Sequence, residues 1–549
     1  MPHHLLALVR WRSPQPGCPP INSPISHPVR PRIVHPISRF VAIALSILLL
    51  WSSSTATAMA RTAAPPEATA PNSIQPYIDR AIERIQEFTL DNGIKFIVME
   101  RHQAPVVSFM TYVNVGAAEE APGKTGAAHF LEHLAFKGTS RIGTRDYEQE
   151  QQVLNELDRV FDQLQAAKAA NQTDEITRLQ QTFDTLKAQS ATFVEQNQYS
   201  RIVERAGGVG LNATTSADET RYFYSFPSNK LELWMSLESE RFLDPVFREF
   251  HEEKDVILEE RRLRTDNSPI GKMIEAFLET AYPNHPYGRP VIGYEEDIRN
   301  LTRKDIQDFF DAYYTPNRMV MAVVGDVDTQ EVQRLAELYF GRYQARSRTP
   351  DIEATAPAQT EPREVTVNLQ SQPWYIEGYQ RPAISDPDSP VYFVLSSILS
   401  GGRTSRLYQA LVEQQIALNV EVGNGFPGNR FPTIFMVYAL TAPGRTVDEV
   451  AAAFNRELTR LKTEPVSAEE LDRVKTQVRV SLLQLVSSNE GMASLLTDYD
   501  AKTGSWRNLF DELQAVETVT AEDIQRVAQA TFVPEKLTIG RLLPVEGQS

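Results

Sequence analysis

The sequence predicts an α+β protein of two related domains, each mixing strands and helices. Three observations predict it. Both halves mix alternating segments rich in Val, Ile, Phe and Tyr with segments of helical period. Residues 345–363, ARSRTPDIEATAPAQTEPR, are rich in Pro, Thr and charge and read as an inter-domain linker. A chain of 549 residues also exceeds what one ordinary core holds. The formal charge of −16 argues against a general nucleic-acid binder, which needs a basic face for phosphates.

Residues 1–60 stand apart as a leader. They hold Arg10, Arg12, Arg30, Arg32 and Arg39 but no lysine and no acid. FVAIALSILLLW follows Arg39, and SSSTATAMA follows that. A basic region, an apolar region and small residues make a secretory signal, with cuts expected after Ala58 or Ala60. The apolar run is short for a bilayer. Export to a periplasm is therefore expected, with membrane association only if the leader is retained as an anchor. A mitochondrial presequence is the weaker alternative. The single cysteine, Cys18, lies in the leader, so a metal in the mature chain must use His, Asp or Glu.

Residues 61–84 read as a Pro/Ala linker and a short helix. Residues 85–344 form the first domain. EFTLDNGIKFIVMER and PVVSFMTYVNVGA read as paired strands, with a turn at Asp91-Asn92-Gly93. A helix is expected over 125–136, with Thr125 as its N-cap. Residues 146–198 have helical period and a break at 169–173, a hairpin projecting from the domain, with Thr173 or Asp174 capping its second helix. GVGLNATTSADETRYFYSFP reads as strands, 228–264 and 301–314 as helices, and MVMAVVGDV as a buried strand. After the linker, residues 364–549 loosely repeat this order, with a helix over 388–400 and a final strand KLTIGRLL.

Chemistry concentrates in AAHFLEHLAF. His129 and His133 are four apart, one turn on one helical face, and can offer two nitrogens to Zn²⁺. Glu132 stands beside them, placed to take a proton from zinc-bound water. A third ligand is expected from REFHEEKDVILEERRLR. Glu253 and Glu260 are seven apart and share a helical face with Val256 and Ile257. One carboxylate could bind zinc while the other orients a ligand or the water. Taken alone, such acid-rich faces are usually solvated.

The landmarks FTLDNGIKFIVMERHQAPVVSFMTYVNVGA, GAAHFLEHLAFKGT, LNATTSADETRYFY, EEKDVILEERRLR, PYGRPVIG and FFDAYYTPNRMVMAVVGDVD occur in order over residues 87–545. In them the chain resembles the pitrilysin/insulinase (M16) family of inverted HxxEH metallopeptidases, in its half-length form. The resemblance implies two homologous α/β-roll domains, each an antiparallel-rich sheet packed with helices, in a clamshell, with the helical hairpin as an insertion. It implies that His129, His133 and Glu260 bind Zn²⁺, that Glu132 is the general base and that Glu253 supports a ligand. It places Asn212 on an edge strand that pairs with peptide substrates.

Two departures qualify it. Glu260 follows His133 by 127 residues rather than fewer than about 80, and the hairpin accounts for the excess. The family's Arg and Tyr, which hold the substrate carbonyl from the second domain, fall on Val412 and Asn419. The resemblance then implies a heterodimer with a zinc-less homologue supplying that pair, unless Arg403 or Arg406 substitutes. The alternative is a non-catalytic assembly or binding subunit on the same fold.

Overall fold

A computed structural model describes residues 75–347 and 349–545. The expected leader lies outside them. The first half runs α1 (Gln75–Ile82), β1 (Ile85–Thr89), β2 (Lys95–Glu100), β3 (Val106–Val113), α2 (Ala127–Leu134), α3 (Tyr147–Ala169), α4 (Thr173–Ala191), α5 (Gln198–Arg205), β4 (Val209–Thr215) and β5 (Thr220–Pro227). It continues with α6 (Leu231–Leu243), α7 (Phe250–Arg261), α8 (Pro269–Ala281), α9 (Glu295–Asn300), α10 (Arg303–Tyr313), β6 (Met319–Gly325) and α11 (Thr329–Phe340). The second half runs β7 (Arg363–Asn368), β8 (Trp374–Arg381), α12 (Ser389–Ser400), β9 (Ala417–Phe426) and β10 (Thr433–Thr441). Then come α13 (Val447–Thr463), α14 (Ala468–Ser487), α15 (Asn489–Thr503), α16 (Asn508–Thr518), α17 (Ala521–Thr531) and β11 (Leu537–Leu543).

The first sheet has the order β1-β2-β6-β3-β5-β4 and the second β7-β11-β8-β10-β9. In each, one pair is parallel, β2 with β6 and β7 with β11, and the rest are antiparallel. The second sheet thus repeats β2-β6-β3-β5-β4 of the first, and five helices follow both β5 and β10. The loose sequence repeat is a topological duplication.

The expected turn at Asp91-Asn92-Gly93 does join a hairpin, β1 with β2, and Gly93 takes the left-handed backbone (φ 101°) that glycine tolerates. The pairing of the two N-terminal segments needs correction. β6 lies between β2 and β3. MVMAVVG is buried along its whole length, as a strand covered on both faces must be.

Two helices trade halves. α15 lies on the face of the first sheet formed by β3 and β6, where Lys95 pairs with Asp500 at 2.6 Å and Arg221 with Asp498 at 2.6 Å. In return α8 lies on the second sheet, where Met273, Phe277 and Leu278 share a core with Ile376, Ile434 and Met436. Gly378 and Gly540 leave room for it. A Cβ on the first would meet the Phe277 ring at 2.6 Å, and on the second Met273 Cε at 2.5 Å.

The hairpin is present as α3 and α4, with Asp146 capping α3 by accepting from Gln149 N–H. Neither Thr173 nor Asp174 caps α4. Thr173 is its first residue and Gln172 holds the cap position without a side-chain bond, after Asn171 turns the chain at φ 54°. The hairpin does not simply project. Leu157, Val160, Phe161 and Leu164 are buried with Leu179 and Phe183, and the side chain of His251 on α7 meets both phenylalanine rings.

Candidate metal centre

The helix with the two histidines is short, and its start is built from outside it. Thr125 is not its N-cap. Gly126 holds that position at φ 88°, with the Ile292 carbonyl where a Cβ would go, 2.7 Å away. Thr125 instead donates from its hydroxyl to Asp297 and accepts from Tyr294 N–H. The free N–H groups of the first turn are met by Glu120, which accepts from Gly126 and Ala128 at 3.0 and 2.9 Å. A carboxylate suits the positive end of a helix. Burial nevertheless pushes the Glu120 carboxyl up to about 8, against those two hydrogen bonds. No local signal in the sequence points to Glu120. It lies in GAAEEAPGK, six residues before Gly126, outside the local spacing of capping signals.

α2 packs against α7, with Phe130 stacked on Phe250 at 4.6 Å. That contact brings His129, His133 and Glu260 together, one ligand atom of each within 4.8 Å of the others. Glu260 Oε2 lies 3.5 Å from His133 Nε2 and 3.8 Å from His129 Nε2. Of the shared face expected on α7, Ile257 is buried between the acids, but Val256 is 43% exposed. At 3.6 residues per turn Val256 and Ile257 fall on opposite flanks of the line through the acids, and only the Ile257 flank faces the core.

His133 and Glu260 are each held by one atom and bare at the other. His133 Nδ1 meets Glu253 Oε2 at 3.1 Å, and Glu253 is itself held by Lys137. Glu260 Oε1 meets Arg264 at 2.5 Å. His133 Nε2, Glu260 Oε2 and His129 Nδ1 are buried with no hydrogen-bond partner. Buried polar atoms without partners are costly, and two imidazoles with a carboxylate are a donor set suited to zinc. The residues therefore fit a divalent metal.

The electrostatics fit as well. Burial and the neighbouring His133 push His129 down to about 3, leaving it a neutral donor. Burial works against a charge on His133, but the hydrogen bond to Glu253 and the nearby carboxylate of Glu260 outweigh it and hold His133 up to about 10. Burial likewise opposes the charge on Glu260, yet His133, His129 and Arg264 bring it down to about 2. A neutral imidazole donor and a carboxylate held ionised are what a cation site needs.

Glu132 is 4% exposed and its carboxyl is raised, first by burial. Thr215, the last residue of β4, donates to its Oε2 at 2.6 Å. Thr215 was visible in LNATT but carried no signal of this bond. Asn212 sits half-buried on β4, which is an edge of the first sheet. The positions expected for the carbonyl clamp are elsewhere engaged. Val412 packs on the second core and Asn419 lies exposed on β9, donating to Glu421. Arg406 pairs with Glu470 at 2.9 and 2.7 Å, and Arg403 is exposed.

Residues 95–174 and 184–295 match the family model of insulinase (peptidase family M16), and residues 300–478 match the peptidase M16 inactive domain. The zinc protease PqqE of Helicobacter pylori is 28% identical over 466 residues, 84% of this chain and 93% of that one. A crystal structure of a protease from Helicobacter pylori superposes with a TM-score of 0.71 at 28% identity, covering 84% of this chain and 99% of that one. The periplasmic protease PqqL of Escherichia coli shares the fold at a TM-score of 0.63 and 19% identity. There, 84% of this chain covers 48% of the longer one.

Proposed function

The chain belongs to the M16 (insulinase) family of peptidases, and from that premise we propose that it is a zinc-dependent endopeptidase acting on unfolded peptide segments. The observation that carries the reading is the convergence of His129, His133 and Glu260, with His133 Nε2 and Glu260 Oε2 buried and partnerless, beside the buried carboxylate of Glu132. His129, His133 and Glu260 would hold the ion, and Glu253 fixes which nitrogen of His133 faces it. Bound zinc would acidify a water and polarise the scissile carbonyl. Glu132 takes the proton. Its raised affinity for one suits a general base that later returns it. The Thr215 hydroxyl occupies Oε2 and leaves Oε1 for that proton. The same residue ends β4, whose edge would pair with an extended substrate through main-chain hydrogen bonds. Base and substrate strand are thus mechanically one unit.

The carbonyl clamp is the missing part. With Val412 in a core and Arg406 paired to Glu470, a second, zinc-less homologue would supply the Arg and Tyr. PqqL is about twice as long as the matched region, and this function would be divided here between two chains. The leader and that periplasmic relative support work in a periplasm. The missing clamp is also what favours the second reading, a binding subunit without catalysis.

The test measures zinc per chain by mass spectrometry and hydrolysis of a quenched, unstructured peptide, with and without a co-expressed homologue. Chelator-sensitive cleavage that falls about 10²–10⁴-fold in Glu132→Gln is expected, with zinc content unchanged. Cleavage indifferent to chelator or to Glu132→Gln would refute the peptidase. Full activity of the isolated monomer would refute the heterodimer alone.

A further inference from the structure

The hairpin α3–α4 has no counterpart in the second half. There residues 401–416 join α12 to β9 with only a π-helical turn, Tyr408–Val412. The fold does not need it, and the half without it has no candidate metal ligands on the helix equivalent to α2. Its contacts show what it touches. At its root, Glu150 is fully buried and Arg248 is 1% exposed. Arg248 gives Nε and Nη2 to Glu150 at 2.8 and 3.2 Å. Its remaining bonds go to the carbonyls of Lys137 (2.6 Å), Ile142 (3.0 Å) and Thr139 (2.7 Å), in the loop leaving α2. That loop is moulded on the guanidinium. Gly138 and Gly143 are left-handed, and a Cβ on either would meet Arg248 Nη1 at 3.1 or 2.8 Å. Arg248 itself lies two residues before α7. One side chain therefore joins the exit of one ligand helix, the entry of the other and the inserted hairpin.

Further along, Phe161 and Phe183 close on His251 of α7 at 4.9 and 4.8 Å. The Lys254 ammonium sits over Phe161 at 4.9 Å and donates to the Leu301 and Arg299 carbonyls. Arg303 of α10 pairs with Asp158 at 2.6 Å. The contacts on α7 fall within its first two turns, which also carry Glu253.

We propose that the hairpin is a brace for the metal centre, with Glu150, Arg248 and His251 as positioning residues that set the separation of α2 and α7. This rests on the zinc reading above. A metal ion demands its ligands within a few tenths of an ångström, and helices joined only by loops do not guarantee that. A bidentate Arg–carboxylate pair, out of water, is a stiff joint.

The experiment uses the full chain. Zinc affinity is measured by competition with a chromophoric chelator, and melting by circular dichroism with and without zinc. Glu150→Gln and His251→Ala, each checked for native helix content, should bind zinc about tenfold more weakly, and the zinc-induced rise in Tm should shrink. Arg248→Lys, which keeps the charge but loses the fork, should fall with them. Lys168→Ala, exposed at the hairpin tip, should match the wild type. If Glu150→Gln does not fold, His251→Ala and Phe161→Leu decide. If the variants melt lower yet bind zinc within twofold of the wild type, the hairpin only stabilises and the brace is wrong. If the wild type binds no zinc, the zinc reading itself fails.

Discussion

The two halves share one topology and use it differently. α2 and α12 occupy the same place, after β3 and its counterpart β8, and α7 and α14 are each the second of the five helices that follow β5 and β10. α2 reads AAHFLEHL, with both histidines turned toward Glu260 of α7 and Glu132 bonded to Thr215 of β4. α12 reads SPVYFVLSSILS and buries Val391, Val394, Leu395, Ile398 and Leu399. Where α7 presents Glu253 and Glu260, α14 buries Leu471, Val474 and Val478. One helix pair is closed by dispersion and the hydrophobic effect, while the other keeps polar atoms apart for an ion. The lesson is that the second pair shows how tightly this fold can close, and the first shows what is withheld to leave a site.

The comparison can be broken at the exchanged helices. Phe277→Ala should remove the ring that α8 lodges in the second sheet and cost about 3–5 kcal/mol, read as a lowered denaturation midpoint. If the midpoint does not move, α8 is not holding the halves together. A smaller effect sharpens the difference between α7 and α14. Glu253→Ala should weaken zinc binding roughly 10- to 100-fold by freeing His133 Nδ1, measured by chelator competition, with folding stability little changed. Smallest is a pH effect where α15 meets the first sheet. Burial opposes the charge on Glu219, but Lys502 and Arg221 outweigh it and hold its carboxyl down to about 2. A lowered folded value contributes stability that is complete above the usual 4.5 and is lost as pH falls toward 2. Glu219→Gln should therefore flatten the acid limb of a stability–pH curve between those values. An unchanged limb would place the acid sensitivity elsewhere.

Much of the fold was legible because it is periodic. MVMAVVG announced a buried strand, and the Gln-, Ala- and Leu-rich segment announced two helices with a break where Asn171 now turns. Misreadings came where the partner was remote. Thr125 fits every local rule for an N-cap, but Asp297 and Tyr294 claim its hydroxyl, and Glu120 caps the helix. Counting along the helix puts Val256 beside Glu253 and Glu260, yet it faces out. The two N-terminal strand segments look like neighbours because they are adjacent in sequence, but β6 separates β2 from β3.

By itself the sequence determined the composition of the metal centre: which residues have lone pairs to offer, and their one-turn and two-turn spacings. Spacing along a helix is set by backbone geometry, so it can be read without a partner. What only the tertiary structure decided is which atoms are left bare. His133 turns Nε2 inward because Glu253 takes Nδ1, and Glu260 turns Oε2 inward because Arg264 takes Oε1. The Glu260 choice is made one turn along the same stretch of chain, but the His133 choice spans 120 residues and is made only when burial brings α2 and α7 together.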